Sequence, residues 1–282
     1  MLVNTSDSKQ LKPILKWVGG KRQLLAEICE NHLPQQYNTY YEPFLGGGAL
    51  LFALQPNPAI INDINTELMN CYQVVRDFPD ELIIELKKHK NEEEYYYEIR
   101  SWDRSEDYQN RSVIQLASRT IFLNKAGYNG LYRVNCQGQF NVPMGKYKNL
   151  CLFESENLRA VSRYLNSNEV KLLNLDFEEA VKDAHKGDFI YFDPPYDTSS
   201  NTAGFTGYNQ KGFNKDEQER LKLVCDQLNR KGCKFLLSNA CTNFIADLYK
   251  DYNQTKVLAR RAINSNAQKR GKVEEILIKN YL

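Results

Sequence analysis

Four short apolar runs separated by helical patterns restrict this chain to few architectures. They are NTYYEPF (Asn38–Phe44), AIINDIN (Ala59–Asn65), DFIYFDPP (Asp188–Pro195) and KFLLSNA (Lys234–Ala240). Near-continuous apolar runs of this length fit parallel strands covered on both faces. Helical patterns lie between them: KRQLLAEICENHL, the stretch after Gly48, FEEAVKDAHK, and KDEQERLKLVCDQLNRKG, which Gly232 ends. Strands alternating with helices predict an α/β fold with a doubly wound, mostly parallel sheet. The C-terminal VEEILIKNYL alternates like an edge strand. Asp80–Lys88 and Val113–Leu123 also read as helices, but no strand separates them. The block 66–158 is therefore expected to be an inserted, largely helical subdomain, leaving 1–65 and 159–282 to the main domain.

Composition excludes several classes. At 282 residues with 42% hydrophobic residues the chain can build a packed core. No apolar run approaches the roughly 18–20 residues of a membrane span, and MLVNTSDSKQLKP has no signal-peptide h-region. Seven cysteines never form C-x-x-C, and the histidines are only His32, His89 and His185. A structural metal site wants close ligand pairs, so free thiols and no metal are expected.

The net charge of 37 − 35 = +2 conceals strong segregation. Tyr108–Phe153 contains no acid and six bases (Arg111, Arg119, Lys125, Arg133, Lys146, Lys148), and Tyr252–Val273 again has six bases and no acid. The opposing charge gathers in Asp77–Asp107, where eleven acids face five bases. Local fields rather than the total govern binding to a polyanion, so a confined basic cleft is compatible with this balance.

Two constellations could carry chemistry. Glu42-Pro43-Phe44-Leu45-Gly46-Gly47-Gly48 stands at the C-terminal end of the first strand, where glycines let backbone approach a ligand. Asp63 ends the next strand and is placed to accept both ribose hydroxyls of an adenosine. Leu51 breaks the dinucleotide fingerprint G-x-G-x-x-G, and Val18-Gly19-Gly20-Lys21-Arg22 lacks the Ser or Thr of a P-loop. A ligand-free glycine turn is the alternative. The second constellation is Asp193-Pro194-Pro195-Tyr196. Pro195 drives Pro194 to an extended conformation, so a carboxylate and the Pro194 carbonyl stand side by side near an aromatic face. Two acceptors and a ring match a planar base with an exocyclic amine. The bland alternative is a strand stopped by prolines.

With these motifs the chain resembles the Dam family of DNA adenine-N6 methyltransferases over nearly its whole length. The resemblance rests on Lys16-Trp17-Val18-Gly19-Gly20-Lys21, the glycine motif, Asn62-Asp63, Asn129-Gly130-Leu131-Tyr132-Arg133, Phe140-Asn141-Val142-Pro143, Asp193–Tyr196 and Phe205-Thr206. Met144 departs from the aromatic expected there. The resemblance implies S-adenosylmethionine (SAM) as cofactor, contacted by Trp17, Lys21, Glu42, Phe44, Gly46, Gly48, Asp63, Asp176, Phe177 and Asp193. It implies catalysis by Asp193, Pro194, Pro195 and Tyr196 on an adenine flipped from duplex DNA. It also implies DNA contacts from Lys16, Asn129, Leu131, Arg133, Pro143 and Tyr147 in or beside a target-recognition insert, and GATC as target. A monomer without membrane or metal partner, in the cytoplasm of a bacterial or phage-infected cell, completes this expectation. Core packing for Trp17 and Phe177, a helix cap for Asp176 and a solvated face for each lysine remain open readings. So do cytosine-N4 or RNA methylation, and DNA binding without catalysis.

Overall fold

The computed structural model describes residues 11–17, 24–167, 169–197, 213–260 and 272–282. In chain order, α1 (Leu25–Glu27) runs into a π-helical turn (Ile28–His32) and is followed by β1 (Tyr40–Glu42), α2 (Ala49–Leu54) and β2 (Ala59–Asn62). Five helices come next without an intervening strand: α3 (Thr66–Asp77), α4 (Pro79–Leu86), α5 (Glu93–Ser101), α6 (Val113–Ala126) and α7 (Ser155–Ser167). The chain then forms β3 (Val170–Leu173), α8 (Phe177–Ala180), β4 (Phe189–Phe192), α9 (Lys215–Lys231) and β5 (Lys234–Ala240). It ends with α10 (Asn243–Leu248), β6 (Asn253–Arg260) and β7 (Lys272–Lys279).

The seven strands form one sheet in the order β3-β2-β1-β4-β5-β7-β6. β1 to β5 pair in parallel, and β7 pairs antiparallel with both β5 and β6. The C-terminal strand is thus interior, not the edge its alternation suggested. The edge is β6, whose basic, polar sequence NQTKVLAR hides a strand inside the acid-free stretch. β3 was likewise invisible, because VKLL is too short to stand out from the helix before it. The expected helix FEEAVKDAHK shrinks to one turn, since Val181 leaves helical geometry.

Local chemistry sets the other boundaries. β1 stops at Glu42 because Pro43 has no N–H for the ladder. Asn65 caps α3 by accepting from Leu68 N–H, and Ser112 with Gln115 forms a complete capping box on α6. Asn214 caps α9, which ends at Gly232 in the left-handed region (φ 79°). One apolar cluster joins the sheet (Tyr40, Ile61, Phe189) to α3, α4 and α6 through Leu68, Val75, Leu82 and Ile121. A separate small cluster of Tyr96, Ile99, Phe122, Phe140 and Val142 holds α5 and the far end of α6 against the segment after it.

Candidate active site

From β1 the sheet order runs to β2 and β3 on one side and to β4 and β5 on the other. This reversal between β1 and β4 is a topological switch point, where open α/β sheets bind ligands beyond the carboxyl ends of their strands. The glycine loop follows β1, Asp63 follows β2, Asp176 follows β3, and Asp193–Tyr196 follows β4. The expected residues of the main domain therefore share one rim. Lys21 and Phe205-Thr206 lie outside the described residues.

The buried amide of Asn62 binds three strand ends together. Its Nδ2 donates to Pro43 C=O and Leu175 C=O, both at 3.0 Å, and its Oδ1 accepts from Leu175 N–H at 2.8 Å. The loop above adopts left-handed backbone at Gly46 (φ 49°) and Gly48 (φ 65°). A Cβ at Gly46 would lie 2.7 Å from Trp17 Cδ1, so only glycine leaves room for the indole. Trp17 in turn stacks on Tyr132, with centroids 5.3 Å apart.

Asp63 receives the Gly46 N–H at Oδ2 and the Asn65 N–H at Oδ1, both at 3.0 Å. Each oxygen retains lone-pair capacity for a ligand hydroxyl. Burial pushes this carboxyl up to about 6, and the two backbone donors oppose the shift. Phe44 meets Phe177 at 5.3 Å and Phe213 at 5.6 Å, an aromatic cluster beside the loop in which Phe177 is buried. Asp176 is the cap of α8, accepting from Glu178 N–H, and Arg220 grips both its oxygens at 2.8 Å. The bond from Arg220 holds the Asp176 carboxyl below its ordinary range. The same guanidinium lies 4.1 Å over the Phe177 ring.

Glu42 lies deeper, 2% exposed, with the Tyr40 hydroxyl donating to its Oε2 at 2.8 Å. Burial pushes its carboxyl up to about 8 from an ordinary 4.5. The folded chain thus keeps a proton that the unfolded chain loses, so this group's contribution to stability falls as pH rises from about 4.5 to about 8. Glu42→Gln removes the titration. Its thermal midpoint relative to the parent should be more favourable at pH 9 than at pH 5, and equal offsets at the two pH values would refute this.

At the end of β4, Ser238 Oγ donates to Asp193 Oδ1 at 3.1 Å, and Tyr196 OH donates to Glu275 Oε2 of β7 at 2.7 Å. Pro194 is buried and Pro195 half-buried.

The residues expected to meet DNA converge on a neighbouring face. Lys16 Nζ lies 4.7 Å over the Tyr147 ring, and the Lys16 side chain packs against Gly130. Asn124 of α6, buried and unanticipated, binds this corner together. It accepts from Lys16 N–H at 2.8 Å and donates to Lys16 C=O at 2.6 Å and Gly130 C=O at 3.1 Å. Asn129 is exposed with left-handed backbone (φ 56°), Pro143 is exposed, and Leu131 is half-buried. Bridges between Gly127 and Met144 and between Val134 and Phe140 fold the segment back on itself. Within it, Arg133 Nε donates to Asn141 Oδ1 at 2.6 Å and its Nη2 donates to Asn141 C=O at 3.2 Å. One edge of the guanidinium is thereby fixed, and Nη1 takes no part in these two bonds.

Asn62 is marked in the sequence only as part of the Asn62-Asp63 motif, and Asn124, Arg220, Gln218 and Asn239 are not singled out there. Only Ser238-Asn239, a polar pair inside the apolar run KFLLSNA, offered a signal. Among the described residues no cluster of His, Cys, Asp and Glu is arranged to hold a metal, and no helix is long and apolar enough to cross a membrane.

Comparison with known proteins places the chain in a family. The family model of D12 class N6 adenine-specific DNA methyltransferases matches residues 17–263. The chain is 45% identical to type II methyltransferase M1.LlaDCHI of Lactococcus lactis subsp. cremoris, covering 96% of each chain. It is 42% identical to type II methyltransferase M.MjaIII of Methanocaldococcus jannaschii, over 96% of this chain and 100% of that one. The DNA adenine methylase of Escherichia coli K12 is 32% identical, with 95% of each chain covered. The chain belongs to the D12 class N6 adenine-specific DNA methyltransferase family, and is an enzyme of that kind.

Proposed function

We propose that the protein transfers a methyl group from SAM to N6 of an adenine flipped out of duplex DNA, with GATC as its target. The observation that carries this reading is the meeting of the glycine loop, Asp63 and Asp193–Tyr196 at one switch point. The described residues fit SAM. The left-handed glycine loop under Trp17 offers backbone to the ligand, Asp63 offers lone pairs to ribose hydroxyls, and Phe44 and Phe177 offer an apolar wall for the adenine. Asp176 and Lys21 belong to the same assignment. When bound, SAM supplies an electrophilic methyl on its sulfonium.

The residues of this chain do the rest. The N6 lone pair of adenine is delocalised into the ring and attacks poorly. The Asp193 carboxylate and the Pro194 carbonyl accept the N6–H groups and localise the lone pair as nitrogen pyramidalises. Acceptors fixed before reaction stabilise that transition state without reorganisation. Tyr196 stacks on the flipped base. We assign 1–65 and 159–282 to catalysis and 66–158 to target recognition. The half-buried Arg133, with one edge held by Asn141, is suited to read guanine O6 and N7. Lys16, Asn129, Leu131, Pro143 and Tyr147 complete the DNA face.

Mass spectrometry of nucleosides from duplex DNA treated with protein and SAM tests the reading. N6-methyladenine confined to GATC supports it, whereas 4-methylcytosine or a requirement for RNA overturns it. Methylation of adenine elsewhere overturns the target alone, and the type II relatives make this a real outcome to check. Arg133→Ala should weaken target binding by about 1–3 kcal/mol and relax preference at one base pair. Equal weakening on every single-substituted duplex would make Arg133 a phosphate contact instead.

A further inference from the structure

The loop Asp193–Asp197 begins with a difficulty built into its sequence. Pro194 and Pro195 have no N–H, so two consecutive residues cannot be fixed by donating to a backbone partner. Side chains from beneath supply the fixing. Gln218 of α9 donates from Nε2 to the Pro195 carbonyl at 3.0 Å. Its Oε1 accepts from Asn239 Nδ2 at 3.0 Å. Asn239 Oδ1 accepts the Asp197 N–H at 3.1 Å and the Ala240 N–H at 2.8 Å. Gln218 and Asn239 are 1% and 0% exposed, so water offers them no alternative partners.

These bonds form a chain with a single polarity. Two N–H groups face Asn239 Oδ1, which turns its Nδ2 towards Gln218. Gln218 must then present Oε1 to Asn239 and Nε2 to the loop. A flip of either amide sets donor against donor or acceptor against acceptor in a dry interior, where each unpaired group costs about 1–3 kcal/mol. The relay engages the Pro195 carbonyl, and none of its bonds falls on the Pro194 carbonyl. Ser238, one residue before Asn239, donates to Asp193 Oδ1 from the same strand. β5 and α9 thus grip both flanks of the residue whose carbonyl is to receive the base.

We infer that Gln218 and Asn239 are positioning residues for methyl transfer: their amide relay fixes the Asp193–Asp197 loop so that the Pro194 carbonyl faces the target amine. The inference rests on the proposed catalytic role of that loop. Neither residue touches base or cofactor, and the effect is exerted through the backbone of Pro195 and Asp197. Loss of the relay should misplace the acceptor while leaving the glycine loop and the DNA face intact. A displacement of about 1 Å can cost on the order of 100-fold in rate.

The test measures single-turnover methyl transfer on a duplex carrying the target, with dissociation constants for SAM and for DNA. Gln218→Met keeps the volume and removes both polar atoms. Asn239→Asp keeps the acceptor facing Asp197 and turns the Gln218 donor away from the loop. Each should lower the transfer rate about 10- to 100-fold, with both dissociation constants within about twofold of the parent. The double variant should lose no more than the worse single one, because a relay broken once is broken. Gln218→Leu, which also removes both polar atoms, is read in the same way if Gln218→Met does not fold. An unchanged rate, additive losses in the double variant, or a loss matched by weaker SAM and DNA binding would overturn the inference. Asp193→Asn separates the two levels. Full activity in that variant refutes the catalytic reading, whereas its loss beside an unimpaired Gln218→Met refutes the relay alone.

Discussion

Asp193→Ala should lower methyl transfer at saturating SAM and DNA by about 10²–10³-fold, the scale on which removal of one preorganised polar partner acts. The substitution deletes the carboxylate proposed to accept from N6 and leaves its neighbours in place. Ser238 can still meet Tyr191, which lies 3.3 Å away oxygen to oxygen, so the strand end keeps an internal polar contact. Asp63 is held by the Gly46 and Asn65 N–H groups, and Trp17 packs over Gly46. Binding of SAM should partly survive, because Asp193 is only one of the expected cofactor contacts, and the larger defect should appear in the rate of the chemical step. Asp193→Asn should fail almost as badly, since an amide presents a donor to a donor. Tritium incorporation from labelled SAM into a GATC duplex reads both variants. Undiminished incorporation by Asp193→Ala would remove Asp193 from the mechanism.

The second large effect concerns stability. Arg119 sits on α6 with 0% exposure, an unusual place for a guanidinium. Its charge is answered by Asp103 Oδ2 at 2.7 Å and Glu67 Oε1 at 3.4 Å. Nε donates to Ile99 C=O at 3.1 Å and Nη2 to Arg100 C=O at 3.0 Å, which are carbonyls at the end of α5. Asp103 also accepts the Phe140 N–H at 2.7 Å, and Glu67 accepts the hydroxyls of Tyr108 and Tyr132. Removing the guanidinium leaves the buried Ile99 and Arg100 carbonyls without this donor and strips Asp103 of one of its two cations, the other being Arg104 Nη1 at 2.6 Å. Arg119→Met should therefore destabilise the fold by about 3–5 kcal/mol. Urea unfolding followed by circular dichroism measures this, and a loss below about 1 kcal/mol would show that water or rearrangement replaces the guanidinium.

Arg119 also shows where sequence reading succeeds and stops. It lies in the acid-free stretch that suggests a surface for DNA, yet it is wholly internal. A charge count cannot distinguish a base facing a phosphate from one facing a carboxylate distant in sequence. The β1, β2, β4 and β5 runs were legible because burial on both faces leaves an apolar signature. Asp63 and Asp193 were legible because a strand end and a proline pair mark their surroundings. Asn124, Gln218 and Asn239 were not, and the bonds of Asn62 were not, because the value of a buried amide lies in partners that only the fold brings close. β6 stayed hidden for a related reason, since one covered neighbour suffices to order a polar edge strand.

The stacking of Trp17 on Tyr132 bears on when this protein becomes competent. The two rings are 132 − 17 = 115 positions apart, and Gly46 lies between them in sequence while packing under the indole. Contacts of such separation incur loop-closure entropy that a helix such as α6 does not, and they delay the steps that need them. A nascent chain emerging from the ribosome can form α3 to α6 early, but the Asp193 loop and its β5 supports are synthesised after them. The wall above the glycine loop thus joins Trp17 to Tyr132, whereas the floor beneath Asp193 comes later in the chain, from Gln218, Ser238 and Asn239. The proposed DNA face is therefore synthesised before the loop proposed to accept the target amine is complete.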